Sequence, residues 1–215
     1  MIAMDLFTQI REETKHCFVN AKGSHDWQHT ERVYNLCMNI GEKENADLEI
    51  LKLAALLHDV GREYQDKTNG EVCHAEKGAH LAREVMERHD VDKEKVEEVI
   101  HCIECHRFRG DRIPQSKEAK VLYDADKLDS IGAVGIGRAF LFAGEVGGCL
   151  HNVGVDIEKT KPYTKEDTAY REFAVKLSKV KDSMLTEEGK RLAEERHHYM
   201  EEFFNRLNRE VEGEL

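Results

Sequence analysis

Proline is almost missing from this chain, since Pro114 and Pro162 are the only two in 215 residues. Proline interrupts a helix by removing a main-chain donor and clashing with the preceding turn, so long helices can run here nearly unbroken. Apolar residues recur at helical spacing along most of the chain, whereas alternating strand patterns are almost absent. With 40% apolar and 35% charged residues, the composition is that of a folded protein rather than a disordered one. The sequence predicts an all-α fold.

Polar capping residues mark the expected helix starts. The predicted caps are Asp47, Asp92 and Thr186, and two further helices are predicted to start at about Asp5 and Asp26. The polar segment 62–72 contains Asn69-Gly70 and is predicted to be a loop, whereas residues 165–185 are predicted to form one long amphipathic helix. Because no linker or low-complexity stretch interrupts the pattern, we expect a single domain over residues 1–215.

Charge and apolar patterning exclude several function classes. The balance of 32 basic and 43 acidic side chains leaves a net charge of −11, so we expect no extended nucleic-acid surface. The longest apolar runs, such as Leu53–Leu57, are far too short to cross a membrane. The N-terminal residues do not resemble a signal peptide, and six cysteines without one are expected to be reduced thiols. The predicted location is the cytoplasm.

A histidine–aspartate doublet stands where a buried helix is predicted to end. His58 and Asp59 follow the apolar run LKLAALL. Burying a charge costs several kcal/mol unless the charge is paired or binds a metal. The doublet is therefore a candidate for metal binding, although side chains at a helix end can also reach solvent.

Further histidines and aspartates lie on both sides of this doublet in the sequence. They are His29 in HDWQHTERV, His74, His106, and the three aspartates Asp124, Asp126 and Asp129 in VLYDADKLDS. Taken singly, such a histidine is typical of a surface or cap, and such a triplet is typical of a solvated face. Together, neutral imidazoles and carboxylates suit Mn, Fe, Co, Ni or Zn better than Mg or Ca, which prefer oxygen ligands.

Four segments, HDWQHTERV, AALLHDVGR, HAEKGAHLA and DADKLDSIGAVGIGRAF, together resemble the HD-domain superfamily of metal-dependent phosphohydrolases, and its small stand-alone members most of all. The resemblance covers residues 20–145. It implies a single helical bundle for this core, with additional C-terminal helices over residues 150–215.

The resemblance also implies a ligand set for one or two divalent transition-metal ions. His29, His58, Asp59 and Asp126 correspond to the ligands of the first ion. His74 and His106 correspond to ligands of a second ion, with Asp59 bridging the two.

The activity implied is hydrolysis of a phosphomonoester or phosphodiester by metal-bound hydroxide, with Asp59 central to catalysis. The substrate is expected to be a nucleotide or another small phosphorylated metabolite. Arg32 and Lys127 are expected to orient the phosphate, with the loop arginines 107, 109 and 112 as further candidates. His25 is a candidate general acid, and Asp129 is a candidate for orienting a ligand. The apolar faces of the C-terminal helices suit the core or a homodimer.

The sequence departs from the motifs of two subfamilies, which reduces the range of expected substrates. Arg107-Phe108-Arg109 follows His106 where cyclic-di-GMP phosphodiesterases of the superfamily continue with His-Glu. The Asp126 motif continues Lys-Leu-Asp-Ser, unlike the Arg-Leu-His-Asn run of (p)ppGpp hydrolases. Cyclic-di-GMP and (p)ppGpp are therefore less favoured as substrates.

Three alternatives stay open at the level of sequence. Cys102–His106 matches the haem-attachment pattern C-x-x-C-H, although Cys102 is expected to pack as a small apolar residue. Di-iron oxygenases share the superfamily scaffold, so the same ligand set is compatible with O₂ chemistry. The chain is also compatible with a module that binds a nucleotide or metal without turnover.

Overall fold

The computed structural model describes residues 5–19, 26–68, 70–107 and 112–215. Its α-helices are α1 (Leu6–His16), α2 (Trp27–Glu44), α3 (Leu48–Leu57), α4 (Arg62–Lys67), α5 (His74–Arg88), α6 (Lys93–Cys105), α7 (Lys117–Leu128), α8 (Gly132–Glu145), α9 (Ala169–Val175) and α10 (Glu187–Val211). Two short 3₁₀ segments cover Ile157–Lys159 and Leu177–Ser183. Since no strand occurs in these described ranges, the all-α prediction is confirmed.

Polar side chains cap the helix starts, among them the three predicted caps Asp47, Asp92 and Thr186. The Asp26 carboxylate accepts a hydrogen bond from the main-chain N–H of His29 at 2.9 Å, and Asp47 accepts from Ile50 N–H at 3.2 Å. Asp5, Asp92 and Thr186 cap α1, α6 and α10 in the same way. Each cap satisfies a donor that the first helical turn leaves unpaired.

The first of two compact units covers residues 1–126. At its centre lies α3, whose apolar side chains point in all directions and which packs against α1, α2, α5 and α6. Leu51, Leu56 and Leu57 on α3 are completely buried. Because α3 is enclosed on several sides, the two polar residues that follow it, His58 and Asp59, lie inside the unit rather than on its surface.

The second compact unit covers residues 127–215. Its longest helix, α10, packs against α8 and the second 3₁₀ segment, and Phe204 of α10 stacks on Phe173 of α9. A buried polar group, named here the Arg171 cluster, lies beside α9. Its members are Asn152, Thr160, Asp167, Thr168 and Arg171.

The prediction of a loop over 62–72 is wrong for its first half, because α4 occupies residues 62–67. Ion pairs one turn apart stabilise this short polar helix, with Arg62 Nε 3.4 Å from Asp66 and Lys67 Nζ 2.7 Å from Glu63. A helix without an apolar face gives no periodic signal, so the pattern of the segment did not indicate it.

The single helix predicted over 165–185 is also wrong. The helix starts later, at Ala169, because the hydroxyl of Thr168 caps it by accepting from Arg171 N–H at 3.1 Å. It ends at Val175, because the backbone of the next residue, Lys176 (φ −135°, ψ −58°), departs from the helical conformation.

The prediction of one domain with a core over 20–145 stays a prediction. In the described part of the chain, every helix is too short or too polar to cross a membrane.

Candidate metal centre

Helix ends of the first unit bring six predicted ligands together. His29 lies in the first turn of α2, His58 and Asp59 follow α3, His74 begins α5, His106 follows α6, and Asp126 lies in the last turn of α7. Five of them are at most 4% exposed, and the Asp126 side chain is 15% exposed. Imidazoles and carboxylates buried to this degree need partners of opposite character.

The first group consists of His29, His58 and Asp126, each of which offers an atom within 4.8 Å of the other two. His29 Nε2 lies 3.3 Å from His58 Nε2 and 3.4 Å from Asp126 Oδ1. Three ligand atoms therefore point at one another across a space that suits a single ion.

The second group consists of Asp59, His74 and His106. His74 Nε2 lies 3.1 Å from His106 Nε2 and 3.3 Å from Asp59 Oδ1. His106 Nε2 lies 3.9 Å from the same carboxylate oxygen. This group repeats the arrangement of the first, with two imidazoles and one carboxylate.

Asp59 faces both groups, one oxygen to each. Its Oδ2 lies 3.8 Å from His29 Nε2 and 3.9 Å from His58 Nε2, whereas its Oδ1 belongs to the second group. A carboxylate in this position can bridge two ions. The structure brings the six residues predicted as ligands together around Asp59, and their role as ligands stays a prediction.

Hydrogen bonds on the far side of the rings fix which nitrogen faces the centre. His58 Nδ1 lies 2.7 Å from the carbonyl oxygen of Ala55, and His106 Nδ1 lies 2.6 Å from that of Ile103. A carbonyl only accepts, so each Nδ1 carries the proton and donates it. A neutral ring with the proton on Nδ1 has a lone pair on Nε2, and this lone pair faces the centre.

Lone pairs therefore face lone pairs inside the second group. His74 Nδ1 lies 2.9 Å from the side-chain oxygen of Gln65, which leaves His74 Nε2 without a proton as well. Burial lowers the pKa of His74 to about 2 and that of His106 to about 4, so both rings are neutral at pH 7. Two acceptors 3.1 Å apart repel each other unless a cation lies between them.

The donor chemistry fits the metal ions that the sequence predicts. Neutral imidazole nitrogens combined with carboxylate oxygens suit Mn, Fe, Co, Ni or Zn. His29, His58 and Asp126 would hold one ion, and His74 and His106 a second, with Asp59 available to both.

The predicted phosphate-orienting residues lie next to the ligands in the chain. Arg32 is half-buried on α2, three residues after His29 and hence on the same side of that helix. Lys127 is the next residue of α7 after Asp126. His25 and Arg109 lie outside the described residues.

The other candidates contact residues that are not among the six predicted ligands. The buried carboxylate of Asp129 pairs with Arg138, whose Nη1 lies 2.5 Å from Oδ2. Asp124 is completely buried and belongs to neither ligand group. Arg112 lies 3.1 Å from Glu76. Arg107 donates to the Gln65 side-chain oxygen at 3.0 Å, which places it beside the second group.

The sequence gives no signal that Gln65 lies at the centre. Its position in a polar segment predicted to be a loop carries no motif, and only its neighbours in space identify it. The haem-attachment pattern is also resolved by position. Cys102 is completely buried, Cys105 is 4% exposed, and His106 faces Asp59 and His74. The segment therefore contributes to the core and to the second group.

Comparisons with known proteins agree on one family. The family model of the HD domain matches residues 26–131. The Bacillus subtilis protein YpgQ is 38% identical over 215 residues, covering 95% of this chain and 93% of that protein. A crystal structure of YpgQ in complex with ADP matches with a TM-score of 0.71 and 34% identity, covering 95% of this chain and 94% of that one. An HD-superfamily hydrolase from Bacillus thuringiensis matches with a TM-score of 0.75 and 30% identity, over 96% of both chains.

Proposed function

This chain belongs to the HD-domain superfamily of hydrolases, and from that premise we propose that it is a metal-dependent phosphohydrolase. The substrate proposed is a nucleotide or another small phosphorylated metabolite, cleaved at a phosphomonoester or phosphodiester bond. The observation that carries the proposal is Asp59, whose two oxygens each face a separate pair of histidines.

The proposed division of labour follows from the ligand geometry. A divalent ion bound at the centre supplies Lewis-acid chemistry, because it acidifies coordinated water and offsets charge on phosphoryl oxygens. His29, His58 and Asp126 hold the first position, and His74 and His106 hold the second. Asp59 would contribute one oxygen to each position, Oδ2 to the first and Oδ1 to the second.

Cationic side chains near the ligands would bind the phosphate. Arg32 and Lys127 are each within three residues of a ligand and carry the positive charge that a phosphate group requires. His25 is proposed as the acid that protonates the leaving oxygen, because an ordinary histidine titrates near pH 6.5. ADP in the crystal structure of the relative YpgQ supports a nucleotide ligand.

The state of the cysteines bears on where in the cell the protein is located. All six thiols are free in the structure, which suits a reducing compartment such as the cytoplasm. A homodimer stays a prediction.

The test is a metal-dependence screen. The purified protein is stripped with a chelator, reloaded with Mn²⁺, Fe²⁺, Co²⁺, Ni²⁺ or Zn²⁺ in turn, and assayed against nucleotides, cyclic dinucleotides and sugar phosphates. We expect phosphate or nucleotide release with at least one ion and none with chelator present. Release that persists in chelator, or ligand binding without any turnover, would contradict the proposal.

The oxygenase alternative has its own readout. Protein loaded with Fe²⁺ without oxygen is exposed to O₂ while absorption and Mössbauer spectra are recorded. Hydrolysis that proceeds equally well without O₂ supports the proposal, whereas substrate turnover that consumes O₂ assigns the scaffold to oxidation.

A further inference from the structure

The imidazole hydrogen bonds at the centre are of two kinds. His58 and His106 donate from Nδ1 to the carbonyl oxygen three residues earlier, which is part of the preceding helix. His74 is the first residue of α5, so no helical turn precedes it. Its Nδ1 instead faces the side chain of Gln65 on α4. The orientation of this one ring therefore depends on a side chain that mutation can remove.

Close packing of two helices places Gln65 there. Gly61 precedes α4, and a Cβ at this position would lie 2.3 Å from the carbonyl oxygen of His74 and 2.5 Å from the nitrogen of Gly78. A glycine permits this approach, since any larger residue would push α4 away from α5. The side chain of Gln65, one turn further along, then reaches the start of α5.

Three donors converge on the side-chain oxygen of Gln65. His74 Nδ1 lies 2.9 Å away, His74 main-chain N–H 3.4 Å, and Arg107 Nη1 3.0 Å. Arginine only donates, so the atom that it contacts is the oxygen rather than the amide nitrogen. Arg62 Nη1 also lies 3.5 Å from His74 Nδ1, but the contact with the Gln65 oxygen is much shorter at 2.9 Å. With the amide orientation settled by Arg107, this shorter contact has His74 donate from Nδ1.

We propose that Gln65 is a positioning residue for the second metal position. By accepting the Nδ1 proton of His74, it keeps the Nε2 lone pair directed at Asp59 and His106. The inference rests on the proposed function, because it concerns how tightly the second of the two proposed metal positions binds its ion. The ligand that Gln65 contacts is His74 of the second group, so we expect the ion of the first group not to depend on this side chain.

The first experiment measures Mn²⁺ binding to metal-free protein by calorimetry and by equilibrium dialysis. The parent is expected to bind two ions. Gln65→Leu, which keeps the bulk but not the acceptor, is expected to lose about 10–100-fold in affinity for one ion only. Gln65→Glu, which keeps an acceptor, should restore binding of both. Lys67→Leu is the matched control on α4, since Lys67 contacts Glu63 rather than the centre.

The second experiment reads the ring directly in metal-free protein. Long-range ¹H–¹⁵N NMR is expected to show His74 protonated at Nδ1 in the parent and as a mixture of tautomers in Gln65→Leu. Circular dichroism checks that both chains are folded.

The outcomes separate the two claims. A Gln65→Leu protein that binds both ions as the parent does would overturn the inference and leave the proposed function standing. A parent that binds one ion overturns the inference and leaves a mononuclear hydrolase. A parent that binds none overturns both, and a parent His74 protonated at Nε2 overturns the inference by itself.

Discussion

Each unit of the molecule buries a cluster of polar and charged side chains, and the two clusters are built in opposite ways. In the Arg171 cluster every named donor meets an acceptor. Arg171 donates to Asp167 at 2.8 Å and to the Thr160 hydroxyl at 2.7 Å. In the metal centre, acceptors meet acceptors, as with the Nε2 atoms of His74 and His106 at 3.1 Å.

The difference shows how a structural cluster is told from a functional one. The Arg171 cluster is complete with protein atoms, so its charges are balanced inside the fold. In the metal centre the Nε2 lone pairs of His74 and His106 face each other, an arrangement that a cation between them would complete. Burial alone does not make this distinction, since both clusters are buried. The two clusters are distinguished by whether their hydrogen-bond donors and acceptors match one another.

The largest expected effect comes from removing the shared carboxylate. Asp59→Ala should lower kcat/KM for phosphoester hydrolysis on the order of 10³-fold or more, because it costs several kcal/mol of metal-based stabilisation. Steady-state assays and metal analysis check this together. Asp59→Ala with full metal content and the parent rate would remove the basis of the comparison.

Breaking the other cluster should affect stability instead. Asp167→Ala leaves Arg171 buried without its partner and should lower the free energy of unfolding by about 3–5 kcal/mol, measured by urea denaturation. Metal stoichiometry should not change. Asp156→Ala is the control, because that carboxylate pairs with Lys159 at the surface. A stable Asp167→Ala protein with altered metal content would contradict this division of roles.

Acid should destabilise the metal-free protein through the second group. Unfolded histidine has a pKa near 6.5, whereas burial lowers the pKa to about 4 for His106 and about 2 for His74. The unfolded chain therefore binds more protons as the pH falls below 6.5, and stability falls with it. Each histidine adds a slope approaching about 1.4 kcal/mol per pH unit.

The same titration has an internal control. His106→Gln should reduce the slope of unfolding free energy between pH 6.5 and 4, whereas His198→Gln, at a side chain that is 73% exposed, should not. Equal slopes in the parent and in His106→Gln would show that His106 is not buried in its neutral form.

The smallest effect is expected at Cys102. Burial raises the pKa of its thiol well above the usual range, so the group is an inert part of the core. Cys102→Ala should leave kcat/KM unchanged and lower the unfolding free energy by about 1 kcal/mol. An inactive but folded Cys102→Ala protein would point to thiol chemistry.

Much of the fold was predictable because local signals agreed with it. The caps at Asp26 and Asp47 and the apolar run of α3 determine where helices start and what they bury. The errors came from positions where tertiary contacts decide. Thr168 starts α9 later than the apolar spacing indicates, because its hydroxyl accepts from Arg171 N–H while the Asp167 carboxylate accepts from Tyr163 N–H in the segment before the helix.

The site was predictable only in part. The candidate ligands are predicted through family resemblance, since residues spread between His29 and Asp126 carry no common local spacing. Gln65 was not predictable, because a glutamine in a polar helix shows its role only when the oxygen is seen to accept from both His74 and Arg107.

The most direct test of the metal centre is a crystal structure of the protein grown with Mn²⁺, with anomalous scattering recorded at the manganese edge. The account predicts two peaks, one bound by His29, His58 and Asp126 and the other by His74 and His106, with Asp59 between them. A map without a peak, in which the imidazole nitrogens instead hydrogen-bond to the carboxylates, would contradict it.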